Sequence, residues 1–150
     1  MSKPLQLTLG LLKPDIFANP VFLDLALARI RAQSHMRIRQ ATIVQWSPEQ
    51  AADFYAEHHG KFFYQRLCDY MLSGPFQALV LEGPEVIRDW RALIGPTHPI
   101  RARIRQPHTL RAEFGLTDTR NSFHGSDSPA NARHEIRKFF PDFIFPKDLE

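Results

Sequence analysis

A buried β-strand is written into Leu5-Gln6-Leu7-Thr8-Leu9-Gly10-Leu11-Leu12. The run is short, apolar at most positions and closed by Lys13-Pro14, where proline cannot continue a central ladder. The end of that strand is expected to carry exposed side chains. Asn19-Pro20 then supplies an N-cap with proline at the first helical position, and Phe22, Leu23, Leu25, Ala26, Leu27 and Ile30 form a broad apolar face, so a helix is expected to about Ala32.

Met36 to Trp46 alternates Met36, Ile38 and Gln40 against Arg37, Arg39 and Ala41, as a second strand with one solvated face would. Ser47-Pro48-Glu49-Gln50 is a capping box ahead of a helix to around His58. After Gly60, a further helix spans roughly 62–71, and Ser73-Gly74-Pro75 breaks it before a strand at Phe76 to Leu81. Glu85 to Ile94 is helical, with Val86, Ile87, Trp90 and Leu93 on one side. Gly95 to Pro107 holds three prolines and several arginines with little periodicity, which is expected of a long functional loop. A short helix at 109–114, a loop to Asn121, a brief strand at 122–124 and a helix at 128–139 stopped by Pro141 complete the order, with an extended tail from Asp142. Strand, helix, strand, helices, strand, helices, strand fits an α/β sandwich on an antiparallel sheet.

The 150 residues, 43% of them apolar, fit one domain over 1–150, with a core over about 5–140 and a tail over 141–150. The formal charge of +3 is too modest to point to nucleic acid and suits anionic ligands equally well. Arg29, Arg31, Arg37 and Arg39 form one basic cluster, and Arg101, Arg103, Arg105 and Arg111 a second; such clusters are most often solvated faces. Without interleaved aromatics, nucleic-acid binding is not expected. The one cysteine, Cys68, excludes an internal disulfide and suits a reducing compartment. No stretch approaches a membrane span and no signal peptide is evident, so cytoplasm and mitochondrial matrix are both compatible.

The run Asn121-Ser122-Phe123-His124-Gly125-Ser126-Asp127-Ser128 carries the chemistry. A neutral imidazole is a competent nucleophile near pH 7, and its phosphoramidate is reactive enough to pass a phosphoryl group on. One histidine among seven is ordinarily structural or superficial; the company of Gly125 and Ser126 sets His124 apart. The run resembles the active-site signature of nucleoside diphosphate kinases. Other landmarks of that family follow in order: Lys13-Pro14-Asp15, Phe54-Tyr55-Ala56-Glu57-His58, Ser73-Gly74-Pro75, Gly95-Pro96-Thr97 and Leu110-Arg111. The stretches 62–67, 114–120 and 139–143 are similar to the divergent type 6 branch, and the resemblance covers about Leu5 to Phe140.

The resemblance implies a ferredoxin-like α/β sandwich with a four-stranded antiparallel sheet covered by helices. It also implies ping-pong transfer of the γ-phosphate of a nucleoside triphosphate to a nucleoside diphosphate through a phosphohistidine on His124. By the same likeness, Glu135 holds the imidazole through its second nitrogen with Ser126 in support. Arg91, Thr97 and Arg111 bind phosphate, and Lys13 and Asn121 bind the ribose hydroxyls, Lys13 also approaching the transferred phosphate. Phe63 stacks on the base, with Phe62 and Tyr64 as alternative stackers, and Tyr55 lies near the histidine. Arginine suits phosphate because its fork donates two parallel hydrogen bonds. Mg²⁺ is expected as a bridge between nucleotide phosphates, without protein ligands of its own beyond indirect support from Asp127.

Three departures from the family pattern stand out. The segment between Thr97 and Arg111 is about three residues longer, in a loop that shapes the cleft and the oligomer contacts, so the family's homo-oligomer is not assumed for loop 98–108. His98 replaces an asparagine, and Pro129 follows the signature at a first-turn position that tolerates it. An alternative from another class is a low-activity nucleotide-binding regulatory module acting through a protein partner by way of the long basic segment and the tail.

Overall fold

The computed structural model describes residues 4–115, 121–147 and 149. Four strands form one sheet in the order β2-β3-β1-β4: β1 Gln6–Leu12, β2 Arg37–Val44, β3 Phe76–Gly83 and β4 Phe123–Gly125. All three pairings are antiparallel, with Leu9 opposite Val80 and Leu11 opposite His124. The expected antiparallel α/β sandwich is the observed one.

The alternation of side chains across β1 and β3 explains why both strands are almost wholly apolar, since helices cover both faces. Leu7, Leu9 and Leu11 point with Phe76, Ala78 and Val80 into one cluster that includes Trp46, Tyr55, Met71 and Ile136. Leu12, Leu79 and Leu81 point the other way, toward Ile30, Trp90, Ile94 and Phe123. Each fully buried leucine or isoleucine contributes roughly 2 kcal/mol by leaving water. Gly10 leaves the space that Trp90 fills, because a Cβ there would lie 3.3 Å from the Trp90 ring.

The helices are α1 Pro14–Phe17, α2 Pro20–Arg31, α3 Pro48–Phe54, α4 Tyr64–Leu72, α5 Val86–Ile94, α6 Pro99–Arg105, α7 Leu110–Phe114 and α8 Pro129–Phe139. The caps at Asn19 and Ser47 fall where the sequence places them, and Ser128, read as the first helical residue, is the cap of α8. Asn19 accepts from the Phe22 amide, Ser47 and Gln50 form a reciprocal capping box, and Ser128 accepts from the Asn131 amide with Pro129 in the first turn. Each such cap stabilises by roughly 1 kcal/mol.

Several expectations are corrected. Pro14 opens a one-turn helix rather than only closing β1, and that turn folds Lys13 inward, leaving it 5% exposed instead of solvated. The helix after Ser47 stops at Phe54 and continues as a 3-10 turn over Ala56–His58. Gly60, at φ 88°, turns the chain, so α4 begins at Tyr64 and not at Phe62. Within the stretch read as a loop, Pro99 starts helix α6; its apolar Ile100 and Ile104 face solvent, so no core-facing period marks it in the sequence. Strand β4 begins one residue late because Ser122 has φ 76°. Strand β2 is shorter than 36–46 and carries an irregularity between Ile38 and Gln40, and Arg37 and Arg39 both reach the buried Glu82. Arg29 pairs with Glu113, so most of the first basic cluster is engaged rather than merely solvated. In the tail, Phe143 and Phe145 pack on the first cluster, and Leu149 forms a parallel bridge to Leu5. The loop read at 116–120 lies outside the described residues. Among the described residues no helix is long and apolar enough to cross a membrane.

Candidate active site

His124 is the middle residue of β4, held at the sheet's edge position by its pairing with Leu11. The Trp90 indole donates to the His124 carbonyl at 2.9 Å, and Gly125 allows the approach, since a Cβ there would lie 2.7 Å from the Trp90 ring. The imidazole Nε2 lies 2.8 Å from Glu135 Oε1, on the α8 face that looks at the sheet. Ser126 Oγ donates to the same carboxylate oxygen at 2.9 Å and accepts from the Leu9 amide at 3.2 Å. An ionised carboxylate only accepts, so this arrangement puts the ring proton on Nε2 and leaves Nδ1 with its lone pair.

The Phe54 ring meets His124 edge-on at 5.5 Å. Phe54, Tyr55, His58, His134 and Glu135 line a cleft of about 320 Å³ that reaches His124. Tyr55 is buried, and its hydroxyl is pushed up by burial, then by Cys68 and Glu135. Phe63 sits against His58 at 5.3 Å, on the rim of that cleft, whereas Phe62 is 85% exposed and Tyr64 packs on the core.

On the other side of the signature, Lys13 and Asn121 meet: Lys13 Nζ donates to Asn121 Oδ1 at 3.2 Å. Lys13 also lies over the Tyr70 ring at 5.6 Å. Burial drives its pKa down to about 7, the Arg111 charge pushes the same way, and Asp15 opposes them. Arg111 is likewise buried. Its Nη1 donates to the Gly95 carbonyl at 2.6 Å and its Nη2 to the Phe123 carbonyl at 2.9 Å. Burial and then Arg91 bring its pKa down to about 10. The Arg91 stem runs beside Gly125, and Gly95, at φ 84°, ends α5 against Thr109. Thr97 lies exposed two residues later. Asp127 is engaged by the Asn131 amide at 2.5 Å, a bond that is the first cause of its lowered pKa. Among the described residues no group of three or more His, Cys, Asp or Glu side chains is placed to hold a metal ion.

Six of the residues singled out in the sequence fall into two sets, while Arg91, Thr97, Tyr55, Phe63 and Asp127 stand around them. His124, Glu135 and Ser126 form one; Lys13, Asn121 and Arg111 are tied to the backbone on either side of it. Sequence reasoning missed Phe54 and Trp90 as partners of His124, and Asp15, Tyr70 and Ser122 beneath Lys13. Phe54 and Asp15 do stand in runs that the family likeness marks, but nothing local shows what they touch.

The model of the nucleoside diphosphate kinase family matches residues 6–144. Nucleoside diphosphate kinase 6 of Xenopus tropicalis is 48% identical over 141 residues, 94% of this chain and 78% of its own length. The human nucleoside diphosphate kinase 6 is 48% identical over 139 residues, 93% of this chain and 74% of its own. Among solved structures, the nucleoside diphosphate kinase of Aquifex aeolicus superposes with a TM-score of 0.85 at 37% identity, covering 91% of this chain and 95% of that one.

Proposed function

The chain belongs to the nucleoside diphosphate kinase family, and on that premise we propose that it moves the γ-phosphate of a nucleoside triphosphate to a nucleoside diphosphate through a phosphohistidine on His124. The observation that carries this reading is the Glu135 carboxylate bound to Nε2, which leaves Nδ1 as the open, unprotonated ring nitrogen. In the first half-reaction the Nδ1 lone pair forms a bond to the γ-phosphorus, and the bond to the bridging oxygen breaks, releasing the diphosphate with those electrons. In the second half-reaction a terminal oxygen of the acceptor diphosphate attacks, and the P–N electrons return to Nδ1. Glu135 stabilises the positive charge that builds on the ring in between, and Ser126 fixes the carboxylate.

Charge spreads over the equatorial phosphoryl oxygens during transfer, so catalysis is mainly positioning and cationic stabilisation. Arg111, Arg91, Lys13 and Thr97 are assigned that task, Asn121 and Lys13 the ribose hydroxyls, and Phe63 the base, with Tyr55 walling the histidine. Phe63 is preferred to its neighbours because its ring meets His58, a residue of the His124 cleft, whereas Phe62 is exposed and Tyr64 packs on the core. Mg²⁺ would be held mainly by the nucleotide and would neutralise phosphate charge there, with Asp127 as its indirect support, which suits a site whose side chains are mostly cationic. With ATP and GDP varied together, initial rates are expected to give parallel double-reciprocal lines; intersecting lines would require both nucleotides to be bound at once and would overturn the phosphohistidine route.

Lys13 makes the affinity pH-dependent. Phosphate binds the protonated amine, and in the free protein that amine loses its proton near pH 7. Binding above pH 7 must therefore take up a proton, and nucleotide affinity is expected to fall by up to about tenfold per pH unit between pH 7.5 and 9. Calorimetry at pH 8 in buffers of different ionisation enthalpy reads that proton directly, and Lys13→Met is expected to abolish the uptake.

A further inference from the structure

Ser122 is the only non-glycine among the described residues with a positive φ, at 76°, and it is fully buried between Asn121 and the strand that carries His124. A serine in that region is strained and persists only where its surroundings hold it. Four contacts do so. The Ser122 carbonyl accepts from the Lys13 amide at 2.8 Å, and the Ser122 amide donates to the Tyr70 hydroxyl at 3.3 Å. Ser122 Oγ donates to Asp15 Oδ2 and lies 3.3 Å from the Phe114 carbonyl. The Tyr70 hydroxyl donates to the other oxygen of the same carboxylate. One carboxylate thus joins α1, α4 and the turn before β4.

From this closed network we infer that Asp15 is a positioning residue, which through Tyr70 and Ser122 locks the strained turn and so sets Asn121 and Lys13 where they meet the nucleotide. The inference rests on the kinase reading for the identity of the ligand, but its geometry does not depend on the chemistry at His124. Asp15 follows Lys13 by two residues in the first turn of α1 and binds Ser122, the neighbour of Asn121, so it is close in the chain to one end of the Lys13–Asn121 hydrogen bond and in contact with the neighbour of the other. A turn released by even a fraction of an ångström would leave the chain folded and the ligand contacts misaimed.

The test compares Ser122→Gly, Asp15→Ala and Asp15→Asn in the full chain. Glycine accepts the turn without strain, so Ser122→Gly is expected to melt close to the unmodified protein. It nevertheless loses the Oγ anchor, and KM and the calorimetric Kd for ADP are expected to rise about tenfold. Asp15→Ala is expected to raise both by at least as much. Asp15→Asn is expected to stay within about threefold, since the amide oxygen accepts from Tyr70 and the amide nitrogen donates to Ser122. Unchanged ADP affinity in Ser122→Gly and Asp15→Ala, with only the melting temperature lowered, would overturn the assignment and reduce the network to scaffolding. ADP affinity is also read in a His124→Asn background, so an absence of phosphoryl transfer counts against the phosphohistidine alone and not against the role of Asp15.

Discussion

Replacing His124 with asparagine is expected to lower nucleotide exchange by at least about 10⁴-fold while ADP still binds. Ser126, the hydroxyl that shares Glu135 with His124, is not free to take the phosphoryl group in its place. Ser126 Oγ is fully buried and engaged with the Leu9 amide and Glu135. Asparagine is close to the imidazole in size and keeps the Trp90 and Leu11 contacts of the strand, which are made by backbone atoms. Steady-state exchange between ATP and GDP, with ADP binding measured alongside, separates lost chemistry from lost fold. Exchange surviving within tenfold would move the nucleophile elsewhere.

Arg111→Ala is expected to cost about 10³-fold in kcat/KM and to destabilise the chain by roughly 2–4 kcal/mol. Both effects have one origin. The guanidinium ties the end of α5 to β4 through Gly95 and Phe123. Removing it leaves two carbonyls short of a donor and takes a fixed cation from the proposed phosphate site. Arg111→Lys is expected to recover little, because one ammonium cannot span both carbonyls and still present a fork to phosphate. Chemical denaturation and exchange kinetics on the same preparations check both figures; a lysine variant with wild-type kinetics would show that charge alone suffices.

Much of the architecture was legible because local signals agreed with tertiary ones. Leu5 to Leu12 is apolar on both faces because both faces are covered, and Asn19 and Ser47 cap the helices they precede. Helix α6 escaped notice for the opposite reason: its isoleucines face solvent, so it lacks the periodic stripe from which helices are inferred. Helix α1, of four residues, is too short to carry a period at all. The burial of Lys13 was likewise invisible, since lysine is ordinarily solvated and only the fold of the turn takes it inside.

At the site, the pairing of His124 with Glu135 and Ser126 was legible through a specific motif whose members lie within a few turns of one another. The Asp15–Tyr70–Ser122 network was not, because its members are separated by 55 and 107 residues and meet only across the finished fold. Nor does serine announce a positive φ, a conformation for which glycine or asparagine is the usual sign.

The central claim is the covalent intermediate. The chain is incubated with Mg²⁺ and γ-labelled ATP, freed of nucleotide and then given GDP. Label is expected on the protein at close to one per chain, stable to alkali and lost in acid, absent from His124→Asn and passing to GTP when GDP arrives. No label on a protein that binds ATP, or label that survives acid and remains after GDP is added, would contradict a phosphohistidine on His124.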